Sequence, residues 1–341
     1  MSIFSDEVEQ AEKRGHKKMI FWLVLILGMC LFAIGFFVFL ITQPLVLPIQ
    51  KQQAPISVNP EKLKTHVEKI SNEFSPRSAL FVQNLDKTAA YVKQEFAIAG
   101  GNVSEQAFEA NGKTYRNIIA RFNAESEDRI VVGAHYDAAG SLPAADDNAS
   151  GVAGLIELAY LLGRTKLTKH VELVAYTLEE PPFFGSNQMG SFIHAKSLKD
   201  ENAAVRLMMS LEMIGYFSDE PNSQSFPVSA MSLFYPSRGN FIAVVGSFGN
   251  FSIVRRVKSA MKAQSEVPVR SINAPASIPG IDFSDHRNYW KFGYDAVMIT
   301  DSAFYRNPNY HTAADTPEKL DYNRMSKVVE AVYYAVLSFA K

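Results

Sequence analysis

The sequence predicts an α/β protein with a mostly parallel central sheet, helices on both of its faces, and one membrane-spanning helix in front. Short apolar runs alternate with helical stretches over most of the chain, which is typical of βα units. These runs are mainly apolar and do not alternate regularly with polar residues, as in strands buried on both faces. A long uncharged apolar run near the N-terminus predicts the additional helix.

Composition excludes several classes of protein. Of the 341 residues, 47% are hydrophobic and 20% are charged, which is typical of a folded chain and not of a disordered one. The formal net charge is −1, so no basic surplus indicates a nucleic-acid partner. The single cysteine, Cys30, lies in the N-terminal apolar run. We therefore expect no disulfide, cysteine nucleophile or thiolate metal ligand in the rest of the protein.

Residues 19–41 predict a transmembrane anchor. They carry no charge over 23 positions, enough for a helix to cross the hydrocarbon core of a bilayer. The basic residues in front of the anchor are Lys13, Arg14, Lys17 and Lys18. They predict that residues 1–18 form a cytoplasmic tail. The chain after residue 41 is then expected to be extracytoplasmic, in the periplasm, the cell exterior or an organelle lumen. A cleaved signal peptide is the alternative, although its apolar core usually spans only about 7–15 residues.

Residues 42–59 are polar, contain prolines and predict a linker, so a single globular domain is expected over 60–341. From Pro60 to Gly100 the apolar spacing predicts helix, ended by Gly100 and Gly101. A hairpin is expected next, with Asn111 and Gly112 as its two-residue turn.

The remaining elements are predicted from apolar runs and their spacing. Five runs predict strands: "RIVVGAHYD", "HVELVAYTLEE", "VRLMMSLEMIG", "FIAVVG" and "YDAVMITD". Helices are expected between them, over 150–162, 190–198, 251–264 and 284–291. A last helix is expected over about 318–339, and the Ser- and Pro-rich stretch 218–238 predicts a surface loop.

Acidic residues and histidines follow the ends of several predicted strands. In a parallel sheet these ends meet at one edge, where ligands bind. The residues concerned are His135, Asp137, Asp147, Glu179, Glu180, Glu212 and His311. Taken singly, several have an ordinary explanation: His135 could be a hydrogen-bonded core histidine, Asp146 or Asp147 could cap the following helix, and His311 could belong to a loop.

Together, these groups would leave excess negative charge in a cleft, which divalent cations would neutralise. Histidine and carboxylate ligands without thiolates favour zinc over manganese or cobalt. Five ligands exceed the need of one tetrahedral zinc ion but suit two ions that share a carboxylate. The expected cofactor is therefore two zinc ions per chain.

Six short segments occur in an order that resembles the co-catalytic zinc aminopeptidase family, which includes bacterial leucyl aminopeptidases, aminopeptidase Y and the glutamate carboxypeptidase II group. The segments are "GAHYD", "ADDNASG", "EE", "LEMIGY", "SDH" and "NPNYHTAADTPEKLDY". The resemblance extends from about Pro60 to the C-terminus. It implies a zinc-exopeptidase-like fold and hydrolysis of N-terminal residues from peptides, with a metal-held hydroxide as the nucleophile.

The resemblance also implies roles for individual residues. Glu179 matches the general base and Asp137 the residue that orients a histidine ligand. The implied metal ligands are His135, Asp147, Glu180, Glu212 and His311, with Asp147 bridging. Many relatives have Asp where Glu212 stands. The stretch "PPFFGSNQMGS" also replaces a shorter turn, so substrate preference is expected to differ.

Four further residues are candidates for substrate binding. Tyr310 could donate to an oxyanion, and Arg306 could bind a carboxylate or carbonyl. His286 lies in the "SDH" segment, and Phe184 would form an apolar wall. Packing or an ordinary loop position is the alternative explanation for each of them. The sequence leaves oligomeric state open.

Two alternatives remain at the level of the sequence. Glutaminyl-peptide cyclases resemble the same scaffold but use one zinc ion, and other relatives are receptors or scaffolds that have lost ligands. The complete set of ligand-competent residues favours a peptidase over both.

Overall fold

In the computed structural model, residues 2–42, 45–46, 56–123 and 125–340 are described. Most of the predicted linker 42–59 lies outside these residues. The strands are β1 Asn102–Ala110, β2 Lys113–Phe122, β3 Asp128–His135, β4 His170–Tyr176, β5 Ala204–Glu212, β6 Ile242–Gly246, β7 Val269–Asn273 and β8 Ala296–Thr300. The α-helices are α1 Ser2–Thr42, α2 Pro60–Glu68, α3 Val82–Ile98, α4 Gly151–Leu162, α5 Gly190–Asp200, α6 Phe251–Gln264, α7 His286–Lys291 and α8 Tyr322–Ala340.

The strands form one sheet in the order β1-β2-β4-β3-β5-β8-β6-β7. The centre is parallel, because β3 pairs with both β4 and β5, and β5 pairs with β8. Antiparallel pairs occur where β1 and β2 form the hairpin, where β2 joins β4, and where β6 joins β8. The α/β prediction is therefore confirmed. The hairpin turn is also confirmed, with positive φ at Asn111 and Gly112.

Successive strand residues point to opposite faces, which gives two apolar layers. Ile130 and Val132 of β3 face a core that contains residues of α2, α3, α4, α6 and α8. Val131 faces the other layer, which contains Leu198 of α5 and Tyr289 of α7. Both faces are thus covered, which explains why the central strands contain few polar residues.

Some boundaries differ from the predictions. The helical pattern from Pro60 to Gly100 is two helices, α2 and α3, separated by a π turn and an irregular stretch. The last helix begins at Tyr322, because Leu320 has extended backbone angles (φ −91°, ψ 146°). The apolar pattern does not predict strand β7, since Arg270, Ser271 and Asn273 interrupt its apolar run.

The N-terminal helix α1 includes the predicted span 19–41 and continues in front of it. It is long and apolar enough to cross a membrane, and its apolar side chains are exposed up to its last turn. A single helix of this kind is consistent with single-pass anchoring.

Candidate metal centre

Three neighbouring parallel strands deliver candidate ligands to one edge of the sheet. His135 is the last residue of β3 and pairs with Tyr176, the last residue of β4. Glu179 and Glu180 follow β4 after a short interval, and Glu212 ends β5. Because all three strands run in the same direction, their carboxyl ends meet, as the sequence predicts.

The backbone turns sharply beside the candidate ligands. Leu178 precedes the two glutamates with φ 61°, and Met213 follows Glu212 with φ 54°. His311, on the loop after β8, itself has φ 53°. Left-handed conformations at residues other than glycine cost energy and are common at functional sites. Here they turn the chain away from the strand direction where the polar side chains meet.

Asp147 lies on the turn between β3 and α4, with a non-helical conformation (φ −105°, ψ 86°). The next side chain, Asn148, fixes this turn to the end of β5: its amide donates to Leu211 O at 2.8 Å, and its Oδ1 accepts from Met213 N at 3.1 Å. A Cβ on Gly151 would lie 2.3 Å from the same Oδ1. Glycine at 151 therefore leaves room for the link between the two ligand-bearing segments.

The two carboxylate oxygens of Asp147 face different histidines. Oδ1 lies 3.4 Å from His135 Nε2, and Oδ2 lies 3.0 Å from His311 Nε2. Glu212 Oε1 completes the first group at 3.3 Å from His135 Nε2. Glu180 Oε2 completes the second at 3.3 Å from His311 Nε2. In each group the ligand atoms lie within 4.8 Å of one another, as a shared metal ion requires.

Other polar groups position these ligands. The carboxylate of Asp137 accepts from Glu179 N at 3.1 Å and from Glu180 N at 3.0 Å. His135 Nδ1 lies 3.2 Å from Asp137 O and 3.5 Å from the Asp137 carboxylate. Asp137 therefore orients the backbone of the two glutamates as well as the imidazole. The sequence predicts only the imidazole contact.

Two further positioning residues are absent from the sequence prediction. The carboxylate of Asp315 accepts from Asp146 N and Asp147 N, at 3.0 and 3.1 Å. The hydroxyl of Ser284 donates to Glu212 Oε2 at 2.7 Å. The sequence pattern places Asp315 just before the last helix and Ser284 at the start of an earlier one. Neither residue is close in sequence to the one that it supports, so no local signal indicates the contact.

Burial raises the pKa values of the three glutamates at the site. It raises the pKa of Glu180 to about 7, and the charge of Asp147 raises it further. Burial also raises the pKa of Glu179 well above its ordinary value, and the negative charge of Glu212 adds to this. The pKa of Glu212 is itself raised, again chiefly by burial. Ionising these side chains together therefore costs free energy unless a positive charge lies beside them.

The two histidines respond in the opposite sense. Burial alone would lower the pKa of His135, but the charges of Glu212 and Glu179 raise it well above its ordinary value. Burial also opposes protonation of His311, yet hydrogen bonds with Asp147 and Glu180 raise its pKa to about 10. The site thus favours positive charge where the two imidazoles meet the carboxylates.

The donor set fits zinc. Within the described part of the chain, no lysine or arginine forms an ion pair with any of the four carboxylates Asp147, Glu179, Glu180 and Glu212. Arg77 is buried nearby, but its donors bind backbone carbonyl oxygens, including Tyr136 O and Ala144 O. Buried Glu180 Oε1 has no hydrogen-bond partner among the described residues. Imidazole and carboxylate ligands with uncompensated negative charge suit a divalent cation.

The structure separates the four substrate-binding candidates. Tyr310 stacks on His311, with ring centroids 3.9 Å apart, and lines a cavity that Glu212 also borders. Phe184 packs on Phe283, with centroids 5.8 Å apart, and Arg287 lies over its ring. These two candidates stay consistent with a role in the site.

Arg306 and His286 are instead engaged by the protein itself. Arg306 is 5% exposed and donates to Gln224 Oε1 and Phe241 O, at 2.9 and 2.8 Å. His286 is fully buried, with Nε2 2.8 Å from Ile281 O. The geometry therefore does not bring either residue to the candidate ligands, and packing accounts for both.

The cavity beside Glu212 and Tyr310 has an empty volume of about 820 Å³, open mouth included. Its wall is mainly aromatic and aliphatic, and Phe304 packs on Tyr310 on one side and on Phe283 on the other. A largely apolar pocket with a few polar groups at one side is typical of a small-ligand site. The sequence does not identify Phe283 or Phe304, because single aromatic residues in loops carry no pattern.

The sheet and the histidine–carboxylate groups at its edge agree with a zinc metallopeptidase, and the comparison with known families supports that class. The model of Peptidase family M28 matches residues 117–336, and the chain belongs to that family. The protein YfbL of Escherichia coli (strain K12) is 47% identical over 286 residues, covering 82% of this chain and 88% of its own length. Leucine aminopeptidase 1 of Metarhizium robertsii is 24% identical over 286 residues, covering 80% of this chain and 66% of that protein.

Solved structures share the fold at lower identity. BSAP, a zinc aminopeptidase from Bacillus subtilis, superposes with a TM-score of 0.68 at 15% identity, covering 85% of this chain and 97% of that one. The glutaminyl cyclase of Bacteroides thetaiotaomicron superposes with a TM-score of 0.63 at 17% identity, covering 83% and 99%. The fold therefore agrees with the predicted one but does not by itself separate peptidase from cyclase.

Proposed function

We propose that the protein is a membrane-anchored aminopeptidase that binds two zinc ions and hydrolyses N-terminal residues from peptides. The observation that carries the proposal is the position of Asp147, whose two oxygens face His135 and His311 separately. A carboxylate shared in this way supports a bridging ligand and hence two metal positions. The first position would be held by His135, Asp147 and Glu212, and the second by Asp147, Glu180 and His311.

Zinc bound at these residues would polarise the peptide carbonyl group and lower the pKa of a bound water molecule. The protein's own contribution begins with Glu179. Its carboxylate lies 3.9 Å from His135 Nε2, near the ligands but in neither group. Burial raises the pKa of Glu179 above that of an ordinary glutamate, which makes the ionised carboxylate a stronger base.

The position of Glu179 beside the candidate ligands would let it transfer a proton from water to the leaving nitrogen. Glu179 would accept the proton that water loses as its oxygen bonds to the carbonyl carbon, and would give it to the nitrogen as the C–N bond breaks. Asp137 fixes the backbone of Glu179 through a 3.1 Å hydrogen bond. Tyr310 borders the cavity next to Glu212 and could donate to the carbonyl oxygen.

The helix α1 supports the membrane part of the proposal. Its uncharged region 19–41 is exposed over nearly all its length, as a helix surrounded by lipid would be. The basic residues in front of it favour a cytoplasmic N-terminus and an extracytoplasmic domain. The linker would extend over 42–59 and the catalytic domain over 60–341.

Glu179→Gln tests the proposed mechanism in the full chain, purified in detergent. We expect the turnover of aminoacyl-amide substrates to fall by about 10²–10⁴-fold while zinc content is retained, because the base is lost and the ligands remain. Glu180→Gln is the matched control, since it changes the neighbouring ligand and should lower zinc content. Normal turnover by Glu179→Gln would refute the role assigned to Glu179.

Glutaminyl cyclisation is the second candidate function, because a glutaminyl cyclase shares the fold. It predicts about one zinc ion per chain and ring closure of N-terminal glutaminyl peptides with release of ammonia. The paired ligand groups favour the peptidase. A zinc-loaded protein that is inert towards a broad peptide panel would instead support a receptor or scaffold.

A further inference from the structure

The last turn of α1 lies directly against the globular domain. The described side chains of residues 8–38 in α1 are exposed, whereas Phe39 to Thr42 are half-buried. Asn273 Nδ2, at the end of β7, donates to Ile41 O at 3.2 Å. The Tyr235 hydroxyl lies 2.6 Å from Thr42 O. The domain thus meets the helix where the apolar span ends.

The segment 226–235, "FPVSAMSLFY", lies beside this contact. It has no charged residue and contains a short 3₁₀ helix, Ser229–Leu233. Three of its apolar side chains are strongly exposed: 79% for Leu233, 46% for Val228 and 40% for Phe234. The ring of Phe234 lies 5.6 Å from that of Phe39. Exposed apolar patches of this kind mark sites of interaction with proteins or membranes.

The length of the apolar span 19–41 indicates how deep the segment 226–235 would lie in a bilayer. A helix over 19–41 is about 35 Å long at 1.5 Å per residue. The hydrocarbon core is about 30 Å thick, so Ile41 would lie at its boundary. Phe39 is only two residues before Ile41, and the ring of Phe234 packs on the ring of Phe39. Phe234 and its neighbours would therefore lie at the boundary between hydrocarbon and headgroups.

We propose that the segment 226–235 is a second membrane-binding element, whose Val228, Leu233 and Phe234 side chains insert into the same lipid leaflet from which α1 emerges. The occupant of this apolar surface is thus the bilayer. The proposal rests on the proposed anchoring of α1, and it goes beyond that anchoring because it fixes the domain's orientation at the membrane. Continuity with the end of α1 favours lipid over a protein partner.

The same segment also contributes Phe226, Pro227 and Met231 to the wall of the cavity beside Glu212. Val228, Leu233 and Phe234 are not part of that wall. Lipid contact and cavity lining therefore belong to different side chains of one segment. Insertion would hold the cavity at the membrane surface, within reach of peptide termini close to the bilayer.

Depth-dependent fluorescence quenching tests the proposal in the full chain, reconstituted into lipid nanodiscs. In a Cys30→Ser background, Leu233→Cys carries an environment-sensitive fluorophore, and the lipids carry nitroxide quenchers on their acyl chains. The matched control is Ile98→Cys, which replaces an apolar residue that is 60% exposed. Ile98 ends α3, which packs on the β1–β2 side of the sheet, at the edge opposite β7.

We expect several-fold stronger quenching at position 233 than at position 98. Equal quenching at the two positions would overturn the proposal. So would a blue-shifted but unquenched probe at 233, because it would show that a protein surface, such as a second copy of the chain, covers the segment. Val228→Cys repeats the measurement at a second exposed position.

A probe on the native Cys30, inside the span of α1, separates the two proposals. Strong quenching at Cys30 with none at 233 refutes the second membrane contact but keeps the anchor. Absence of quenching at Cys30 overturns both. Hydrolysis of aminoacyl amides is measured separately in detergent, so a failure of the proposed enzymatic activity is distinguishable from either result.

Discussion

The two candidate metal positions share Asp147 but differ in how they are enclosed. His135 and Glu212 occupy the first, where both side chains are buried and Ser284 supports the glutamate. The second contains His311, whose side chain is 33% exposed and whose loop follows β8. Strand ends build the first position, and a loop completes the second. We infer that the first is the more rigid and that the second exchanges metal more readily.

The largest expected effect comes from the shared residue. Asp147→Asn should remove zinc from both candidate positions and reduce kcat/KM by on the order of 10³-fold or more, because the charge proposed to bridge them is lost. Metal analysis together with aminoacyl-amide turnover measures it. Asp146→Asn is the control, since that buried carboxyl belongs to neither group. Full zinc content in Asp147→Asn would contradict the bridging role.

The two histidines test the difference between the positions. His135→Gln should lower thermal stability as well as zinc content, because His135 is fully buried at a strand end. His311→Gln should lower zinc content by about one ion, with little loss of stability, since its side chain is partly exposed. Melting temperature and metal stoichiometry of both variants give the comparison. Equal destabilisation by the two substitutions would remove the distinction between the positions.

The smallest expected effect concerns folding stability. Its dependence on pH should differ between protein freed of metal by a chelator and zinc-loaded protein. Burial raises the pKa of Glu180, Asp285 and Asp315 to about 7 each. Between their ordinary values and 7 the folded state binds more protons than the unfolded state, so stability falls as pH rises. His311 has the same sign, since its stabilising contribution is lost as pH rises towards its folded-state pKa of about 10.

Melting temperature should therefore decrease from about pH 5 to pH 8 in the presence of a chelator. With zinc the decrease should be smaller or reversed, because metal binding requires deprotonated ligands and strengthens with pH. The pKa of Asp147 is lowered, so its protonation falls below this window and does not affect the trend. Parallel curves with and without chelator would show that Glu180 and His311 are not metal ligands.

The sequence by itself predicted most of the strands and helices and the histidine and carboxylate residues of the candidate site. Apolar runs predicted the central strands, and their polar endings predicted that His135, Glu180 and Glu212 lie together, because parallel strands bring their carboxyl ends to one edge. The uncharged run 19–41 likewise identified α1, since length and composition are local properties.

Only the tertiary structure decided which polar groups meet. In the structure, Asp315 accepts a hydrogen bond from the backbone of Asp147, and Arg306 donates to Gln224. The end of α1 contacts Tyr235. These contacts join residues far apart in the chain through side-chain direction and loop path. Periodicity carries no information about either, because it records only which face of an element is buried.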